Sequence, residues 1–364
     1  SPPTSLFSSC ATRSAIVTAA SRLGCVQAMR RWSEGRETGD ARQETRIAFY
    51  DSHSYERKIF DRINSRYGFK IDYFDFKLNS KTAPTSRGYD AVCIFVNDLA
   101  DEDVVAILSQ NQVKTIALRC AGFNNVDLNA CKAKGISVVR VPAYSPHAIA
   151  EHAVALLLSL TRHLPQAYIR TKTGNFTLEG LVGRDLNGLT AGILGTGKIG
   201  KVMAELLRGF GMKVLLFDPM PDKTWAKEKE FEYVEFRNLL EKSDVISLHC
   251  PLNDETFHII NDNSIALMKK DVVLINTGRG ALIDTEALVN ALKKKRIGGA
   301  ALDVYEEESK YFFSDWSDQI ITDDILARLL TFPNVLITSH QGFLTENALE
   351  AIAEVTLENV KLSC

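Results

Sequence analysis

From Arg46 onward, short apolar runs alternate with stretches of helical period. Ile47-Ala48-Phe49-Tyr50 and the runs at 70–74, 91–96, 115–118 and 135–141 read as strands, and 55–66 as a helix between the first two. This is the signature of a parallel α/β half. Ser145-Pro146 then supplies a helix cap and a first-turn proline for a long helix at 148–162, which connects to a second half. There the apolar strands fall at 190–194, 212–217, 245–249, 272–276, 299–303 and 335–338, separated mostly by helical stretches. Six such strands make a doubly wound sheet. The segment 344–360 has helical period and no strand after it, so it is expected to pack back on the first half.

The second half opens on a glycine motif. Gly195-Thr196-Gly197-Lys198-Ile199-Gly200 follows the first apolar strand and precedes a helix at 201–210. Asp218 closes the next strand, eighteen residues after the last glycine (218 − 200). The first glycine permits a tight turn, the second lets helix-start N–H groups approach a pyrophosphate, and the third allows close helix–strand packing. A carboxylate in the place of Asp218 accepts hydrogen bonds from the adenosine ribose and repels the extra phosphate of NADP, so NAD is the expected cofactor. The predicted fold class is α/β, with two parallel-sheet domains of Rossmann and flavodoxin-like type and an interdomain cleft. Residues 1–45 form an extension, 46–144 plus 340–364 a substrate domain, and 145–339 the NAD-binding domain.

Bulk composition narrows the partners. Forty-five per cent hydrophobic and 24% charged residues over 364 positions suit a globular protein with two cores, and the longest apolar stretch is far short of a bilayer span. A formal charge of −2 leaves no electrostatic footprint for nucleic acid. The seven cysteines include no CxxC pair, so no metal or disulfide framework is expected and a reducing compartment fits. The first 33 residues carry Arg13, Arg22, Arg30 and Arg31, many Ser, Thr and Ala, and no acid, the composition of a chloroplast or mitochondrial transit peptide. A disordered tail on a cytoplasmic protein is the alternative.

Open parallel sheets bind ligands at the carboxyl ends of their strands, which directs attention to four segments. They are Asn276-Thr277-Gly278-Arg279-Gly280, the run from Asp303 to Glu308, Ser339-His340, and Arg119-Cys120-Ala121-Gly122-Phe123-Asn124-Asn125. Together they suit 2-keto acid reduction, which needs a hydride donor, a proton donor and a cation for the carboxylate. Arg279 offers the fork-shaped cation, His340 the proton, and Glu308 a partner for the imidazole. By residue type alone His340 is an ordinary satisfied histidine, and Glu308 sits in an acidic run that would normally be a solvated face. Position just after a strand of the cofactor half reverses that reading for His340. The N–H groups of Ala121 and Gly122 suit a carboxylate, with a simple turn as the competing reading. Neither a nucleophile elbow nor a GxxxxGK[ST] loop occurs, so hydrolase and kinase readings fall away.

These residues resemble the D-isomer-specific 2-hydroxyacid dehydrogenases over about 46–360, most closely the members acting on pyruvate and D-lactate. The resemblance is carried by the segments 117–127 and 141–146, the fingerprint from Gly192 to Gly200, His249-Cys250-Pro251-Leu252, the Arg279 segment, 301–306 and 339–345. It implies Arg279 as the substrate-binding and carbonyl-polarising arginine, Glu308 as the carboxylate partner and His340 as the acid/base. Tyr144 and Phe343 become walls of a small substrate pocket, and Asp303 lies near the nicotinamide end. Cys250, Pro251 and Thr277 join Gly195, Thr196, Gly197, Lys198, Ile199, Gly200 and Asp218 along the cofactor. D-stereochemistry, preference for pyruvate and a homodimer built through the cofactor domains come from the resemblance alone. The extension of some 45 residues departs from the usual cytosolic member and bears on address, not chemistry. Only about 24 residues follow His340, too few for the regulatory domain of some phosphoglycerate-oxidising relatives.

Two other functions stay open at this point. Hydroxypyruvate, glyoxylate or bulkier 2-keto acids are alternative substrates, and a non-catalytic NAD-sensing corepressor is a rival of a different class, because fold alone does not set function.

Overall fold

The computed structural model of the chain describes residues 44–364, so nearly all of the expected leader lies outside the described residues. Two compact units are formed, one from the residues up to Tyr144 together with Glu346–Cys364, the other from Ser145–Thr345.

In the first unit, β1 (Arg46–Phe49), α1 (Ser54–Asn64), β2 (Lys70–Tyr73), β3 (Ala91–Ile94), α2 (Glu102–Gln110), β4 (Thr115–Leu118), α3 (Leu128–Lys134) and β5 (Ser137–Arg140) follow in order. The strands form one parallel sheet, β2-β1-β3-β4-β5, whose order reverses between β1 and β3. That is a flavodoxin-like winding. Continuous apolar sequence in β3 and β4 reflects burial on both faces, for every residue of both strands is buried. The C-terminal helix Glu346–Ser363 covers β4, β5 and α1, as the unpaired amphipathic tail predicted.

Arg119, one residue past β4, is 1% exposed. Its Nε and Nη2 each donate to the Glu56 carboxylate at 3.0 Å, and Nη2 also donates to the Asp51 carbonyl at 2.6 Å. Phe49 and Phe95 lie against the guanidinium at 4.4 and 4.9 Å from their ring centroids. The arginine that the sequence places beside a carboxylate-binding loop is therefore an internal clamp between α1 and the end of β4. Loss of one member of such a pair strands the other charge at a cost of about 3–5 kcal/mol.

The second unit begins with α4 (Pro146–Thr161), capped by the Ser145 hydroxyl, which accepts from the Ala148 N–H at 3.1 Å, and started by Pro146. After it come α5 (Leu164–Lys172), β6 (Thr190–Leu194), α6 (Lys198–Gly209), β7 (Lys213–Phe217), α7 (Lys223–Glu228), β8 (Glu232–Tyr233), α8 (Phe236–Lys242) and β9 (Val245–Leu248). Then follow α9 (Asp262–Leu267), β10 (Val273–Asn276), α10 (Thr285–Lys293), β11 (Gly299–Leu302), α11 (Asp324–Leu330) and β12 (Val335–Ile337). The parallel sheet runs β12-β11-β10-β9-β6-β7-β8 and reverses between β6 and β9. It has seven strands where periodicity gives six, because β8 is two residues long and leaves no alternation to read. The unit ends at Thr345, later than the 339/340 boundary read from the sequence. His340 and Phe343 therefore belong with the nucleotide-type sheet, held there by backbone bonds to Asp303 described below.

One segment of this unit leaves several large apolar side chains exposed. Tyr168 and Ile169 on α5, and Phe176, Leu178 and Val182 in the segment after it, are each at least 63% exposed. No helix among the described residues is long and apolar enough to cross a membrane.

Candidate active site

The turn from β6 into α6 is shaped by its glycines. Gly195 has φ +90°, and a Cβ there would lie 2.5 Å from the Cys250 N; one on Gly200 would lie 1.9 Å from the Gly195 carbonyl oxygen. A Cβ on Gly197 would meet nothing within 4 Å, so the approach to the helix start is open. Lys198, Ile199 and Gly200 precede the first helical bond, from Lys201 N–H to the Gly197 carbonyl at 3.0 Å, which leaves their N–H groups outside the helical ladder. A pyrophosphate suits them.

Asp218, half-buried at the end of β7, accepts from the Thr196 N–H at 2.7 Å and the Thr196 hydroxyl at 3.0 Å through Oδ2, and from the Met220 N–H at 2.9 Å through Oδ1. A carboxylate offers about four acceptor positions, so one on Oδ1 is left for a ligand hydroxyl. Thr277 Oγ1, at the end of β10, is buried and has no hydrogen-bond partner among the described residues. An open helix start, a carboxylate with spare acceptor capacity and an orphan hydroxyl are what NAD requires. Cys250 and Pro251 follow β9, with the Cys250 backbone against Gly195.

Arg279 is half-buried on the turn after β10. Its Nη1 donates to the Gly278 carbonyl at 2.8 Å, while Asn276 braces the turn by donating to the Arg279 carbonyl at 2.8 Å and accepting from the Gly278 N–H at 3.0 Å. Gly280 is required by close approach, since a Cβ there would lie 2.1 Å from the Tyr305 carbonyl carbon. The Arg279 turn thus rests directly on the segment that carries Glu308.

His340 Nδ1 lies 2.7 Å from Glu308 Oε1, and Glu308 Oε2 accepts from the Tyr305 N–H at 3.0 Å. An ionised carboxylate only accepts, so Nδ1 carries the proton and Nε2 is the ring atom available for exchange. Both side chains keep about a fifth of their surface exposed, 20% and 23%. His340 has φ +54°, a conformation non-glycine residues seldom hold without support.

Asp303 supplies that support. It is 1% exposed; its carbonyl accepts from the His340 N–H at 2.7 Å, Oδ1 from the Gln341 N–H at 2.9 Å and Oδ2 from the Gly342 N–H at 2.8 Å. Oδ1 also meets the Thr338 hydroxyl at 2.5 Å and His152 Nε2 at 3.1 Å. Desolvation works to raise the carboxyl pKa, but these donors, led by His152 and Thr338, leave it lowered. Expected along the cofactor, the Asp303 side chain is committed to the turn that presents His340.

Phe343 is buried, at 7% exposure. Phe313, absent from the sequence reading, places its ring 6.1 Å from that of His340 and is itself at φ +65°. His152 was missed as well, because its partners are 151 and 186 residues away and nothing in the local pattern marks it. A further imidazole–carboxylate pair, His258 Nε2 to Glu306 Oε1 at 2.6 Å, ties the segment after β9 to that after β11, with Thr285 donating to Glu306 Oε2 at 2.9 Å. No group of His, Cys, Asp and Glu able to hold a metal occurs among the described residues.

Ala121, Gly122 and Tyr144 lie in the first unit. Arg140 Nη1 donates to the Ala121 carbonyl at 2.6 Å, so the N–H of the same peptide, that of Gly122, points the opposite way. Both residues are half-buried, as is Tyr144.

Comparison with known proteins agrees with this geometry. A sequence profile described as "D-isomer specific 2-hydroxyacid dehydrogenase, NAD binding domain" matches residues 154–342. A D-lactate dehydrogenase of Escherichia coli strain K12 is 50% identical over 315 residues, 86% of this chain and 95% of that protein. An aromatic 2-oxoacid reductase of Clostridium sporogenes is 42% identical over 320 residues, 87% and 95% respectively. Among solved structures, the pyruvate reductase of Chlamydomonas reinhardtii superposes with a TM-score of 0.83 at 43% identity, covering 87% of this chain and 95% of that one. The chain belongs to the D-isomer specific 2-hydroxyacid dehydrogenases. Its cofactor is NAD.

His249, after β9, is not a second acid/base. Its N–H donates to the Leu194 carbonyl at 2.7 Å, Nε2 meets the Ser247 hydroxyl at 2.8 Å, and desolvation pushes its pKa down to about 4. A histidine with a depressed native pKa gains its proton first in the unfolded chain, so stability falls as pH drops from about 6.5 toward 4. The slope is at most about 1.4 kcal/mol per pH unit, for one proton, and less because part of the residue meets solvent. His249→Asn should flatten urea-midpoint stability over that window; a slope equal to the parent's would place the titration elsewhere.

Proposed function

We propose that this enzyme interconverts pyruvate plus NADH and D-lactate plus NAD. The observation that carries the reading is the Glu308–His340 contact at 2.7 Å, set beside the Arg279 turn in a chain half identical to a D-lactate dehydrogenase. Arg279 takes the substrate carboxylate and polarises the carbonyl, where a fixed guanidinium fork gives both charge and orientation. The hydride comes from bound NADH. His340 donates the Nε2 proton to the oxygen that becomes the hydroxyl, and in the oxidative direction takes it back at the same atom. Glu308 holds Nδ1–H throughout, so the imidazole cannot turn away or change tautomer. The N–H groups of Ala121 and Gly122 as carboxylate donors, and Tyr144 and Phe343 as limits on substrate size, belong to the same proposal.

His340→Gln should lower kcat/KM for pyruvate by roughly 10²–10⁴-fold and remove its ionisation from the pH profile, whereas Glu308→Gln keeps a hydrogen-bonding side chain and loses less. Steady-state rates with pyruvate, 2-oxobutyrate, phenylpyruvate, hydroxypyruvate and glyoxylate test both chemistry and substrate. Near-parent rates in His340→Gln would remove it as the acid, and a higher kcat/KM for another keto acid would reassign the substrate.

We infer a homodimer whose contact includes the segment 168–182. Phe176, Leu178 and Val182, large apolar side chains exposed within seven positions of one another, support it, since such clusters mark association sites. Phe176→Asp combined with Val182→Lys should shift the sedimentation coefficient to that of a monomer. A monomeric parent, or an unshifted double variant, would refute this.

We also propose import into an organelle, supported by the basic, acid-free first 33 residues. A fluorescent protein fused after residue 45 should leave the cytoplasm. An even cytoplasmic signal would count against it.

A further inference from the structure

Cofactor choice extends past Asp218 into a chain of hydroxyl groups. Thr196 Oγ1 lies 3.0 Å from Asp218 Oδ2 and 2.7 Å from the Tyr233 hydroxyl, and the Tyr233 hydroxyl lies 3.1 Å from the Asp222 backbone nitrogen. Donor directions follow from counting protons. The Asp222 N–H can only donate, so the Tyr233 oxygen accepts there. Asp218 can only accept while ionised, so the single Thr196 proton points at Oδ2. The remaining contact is then satisfied by Tyr233 donating to Thr196.

We propose that Tyr233 is a specificity-determining residue for NAD over NADP, acting through Thr196 as a positioning residue that need not touch the cofactor. The inference rests on the reading that Asp218 faces the adenosine ribose. Tyr233 on the edge strand β8 occupies the acceptor side of the Thr196 hydroxyl and thereby commits its proton to the carboxylate. With the Thr196 N–H and the Met220 N–H, this makes three donors that orient the Asp218 carboxylate, with an acceptor position left on Oδ1. Thr196 is 5% exposed, so its hydroxyl has few alternative partners while Tyr233 is in place.

The same arrangement withholds a donor from a 2′-phosphate. In Tyr233→Phe nothing holds the acceptor side of the Thr196 hydroxyl, so its proton is free to leave the Asp218 carboxylate for an added 2′-phosphate, whose greater negative charge competes with that of the carboxylate. Asp222 is also engaged on its other atoms, with Oδ1 accepting from the Trp225 N–H at 3.1 Å and Oδ2 paired with Lys201 at 2.5 Å. The end of the relay is therefore tied to both α6 and α7 and does not drift.

Equilibrium titration of the full-length enzyme with NADH and with NADPH, monitored by protein fluorescence, tests this without turnover. Tyr233→Phe should weaken NADH about threefold and tighten NADPH about threefold, the scale of one net hydrogen bond. Thr196→Ser keeps the hydroxyl and should retain the parent ratio. Adding Thr196→Val to Tyr233→Phe should abolish the NADPH gain, since no hydroxyl is left to donate. Parallel weakening of both cofactors in Tyr233→Phe would show a merely structural role and overturn the proposal, as would a gain that survives Thr196→Val. Asp218→Ala serves as the control for the underlying reading. If it leaves the NADH-to-NADPH ratio of dissociation constants unchanged, the ribose assignment fails; if it alone moves the ratio, the relay fails.

Discussion

The carboxylate of Asp303 is the fixed point of the catalytic region in the nucleotide unit. A charge at 1% exposure is costly unless every acceptor position finds a donor, and here backbone N–H groups of Gln341 and Gly342 and the side chains of Thr338 and His152 supply them. Satisfying that charge fixes the path of the chain after β12. The turn that results holds His340 in a left-handed conformation it would not adopt unaided, and delivers Nδ1 to Glu308. The boundary of the unit at Thr345 has the same cause.

Glu308 and the Arg279 turn are set by contact of a different kind. Gly280 lies so close to the backbone at Tyr305 that no side chain fits between them, and the His258–Glu306 pair ties the segment after β9 to the same stretch after β11. The His340–Glu308 and His258–Glu306 pairs lie in one region and differ in what else they hold. In His340–Glu308 it is Nδ1 that faces the carboxylate, whose second oxygen takes a single backbone N–H. In His258–Glu306 it is Nε2 that faces the carboxylate, and the second carboxylate oxygen is tied to the Thr285 hydroxyl, so the pair joins loops. Residue type does not separate these roles; the remaining partners of each carboxylate do.

A buried ion pair performs the analogous service in the first unit. Arg119 stands next to the loop that carries Ala121 and Gly122, and the fork geometry that would suit a substrate carboxylate is used up on Glu56. Its planar cation lies between Phe49 and Phe95, which replaces water with ring faces. The loop is held by a charge that never leaves the protein.

The strand and helix pattern was legible along the chain because parallel strands buried on both faces are continuous apolar runs, and because Ser145-Pro146 and the glycine fingerprint act through neighbours in sequence. NAD as cofactor, the roles proposed for Arg279, Glu308 and His340, and the helical tail were readable for the same reason: each lies at a strand end or in a motif whose spacing is local. What escaped were β8, too short to show a period, and the residues whose partners are distant in the chain. His152 meets Asp303 151 positions away, Phe313 approaches His340 across α11 and β12, and Tyr233 reaches Thr196 37 positions back. The sequence by itself determined which elements form and which side chains have the chemistry. Only the tertiary structure decided that Arg119 serves as an internal clamp and that the Asp303 carboxylate braces the turn at 340–342, because those depend on how the donors and acceptors of separate loops are shared out once the sheet has brought them together.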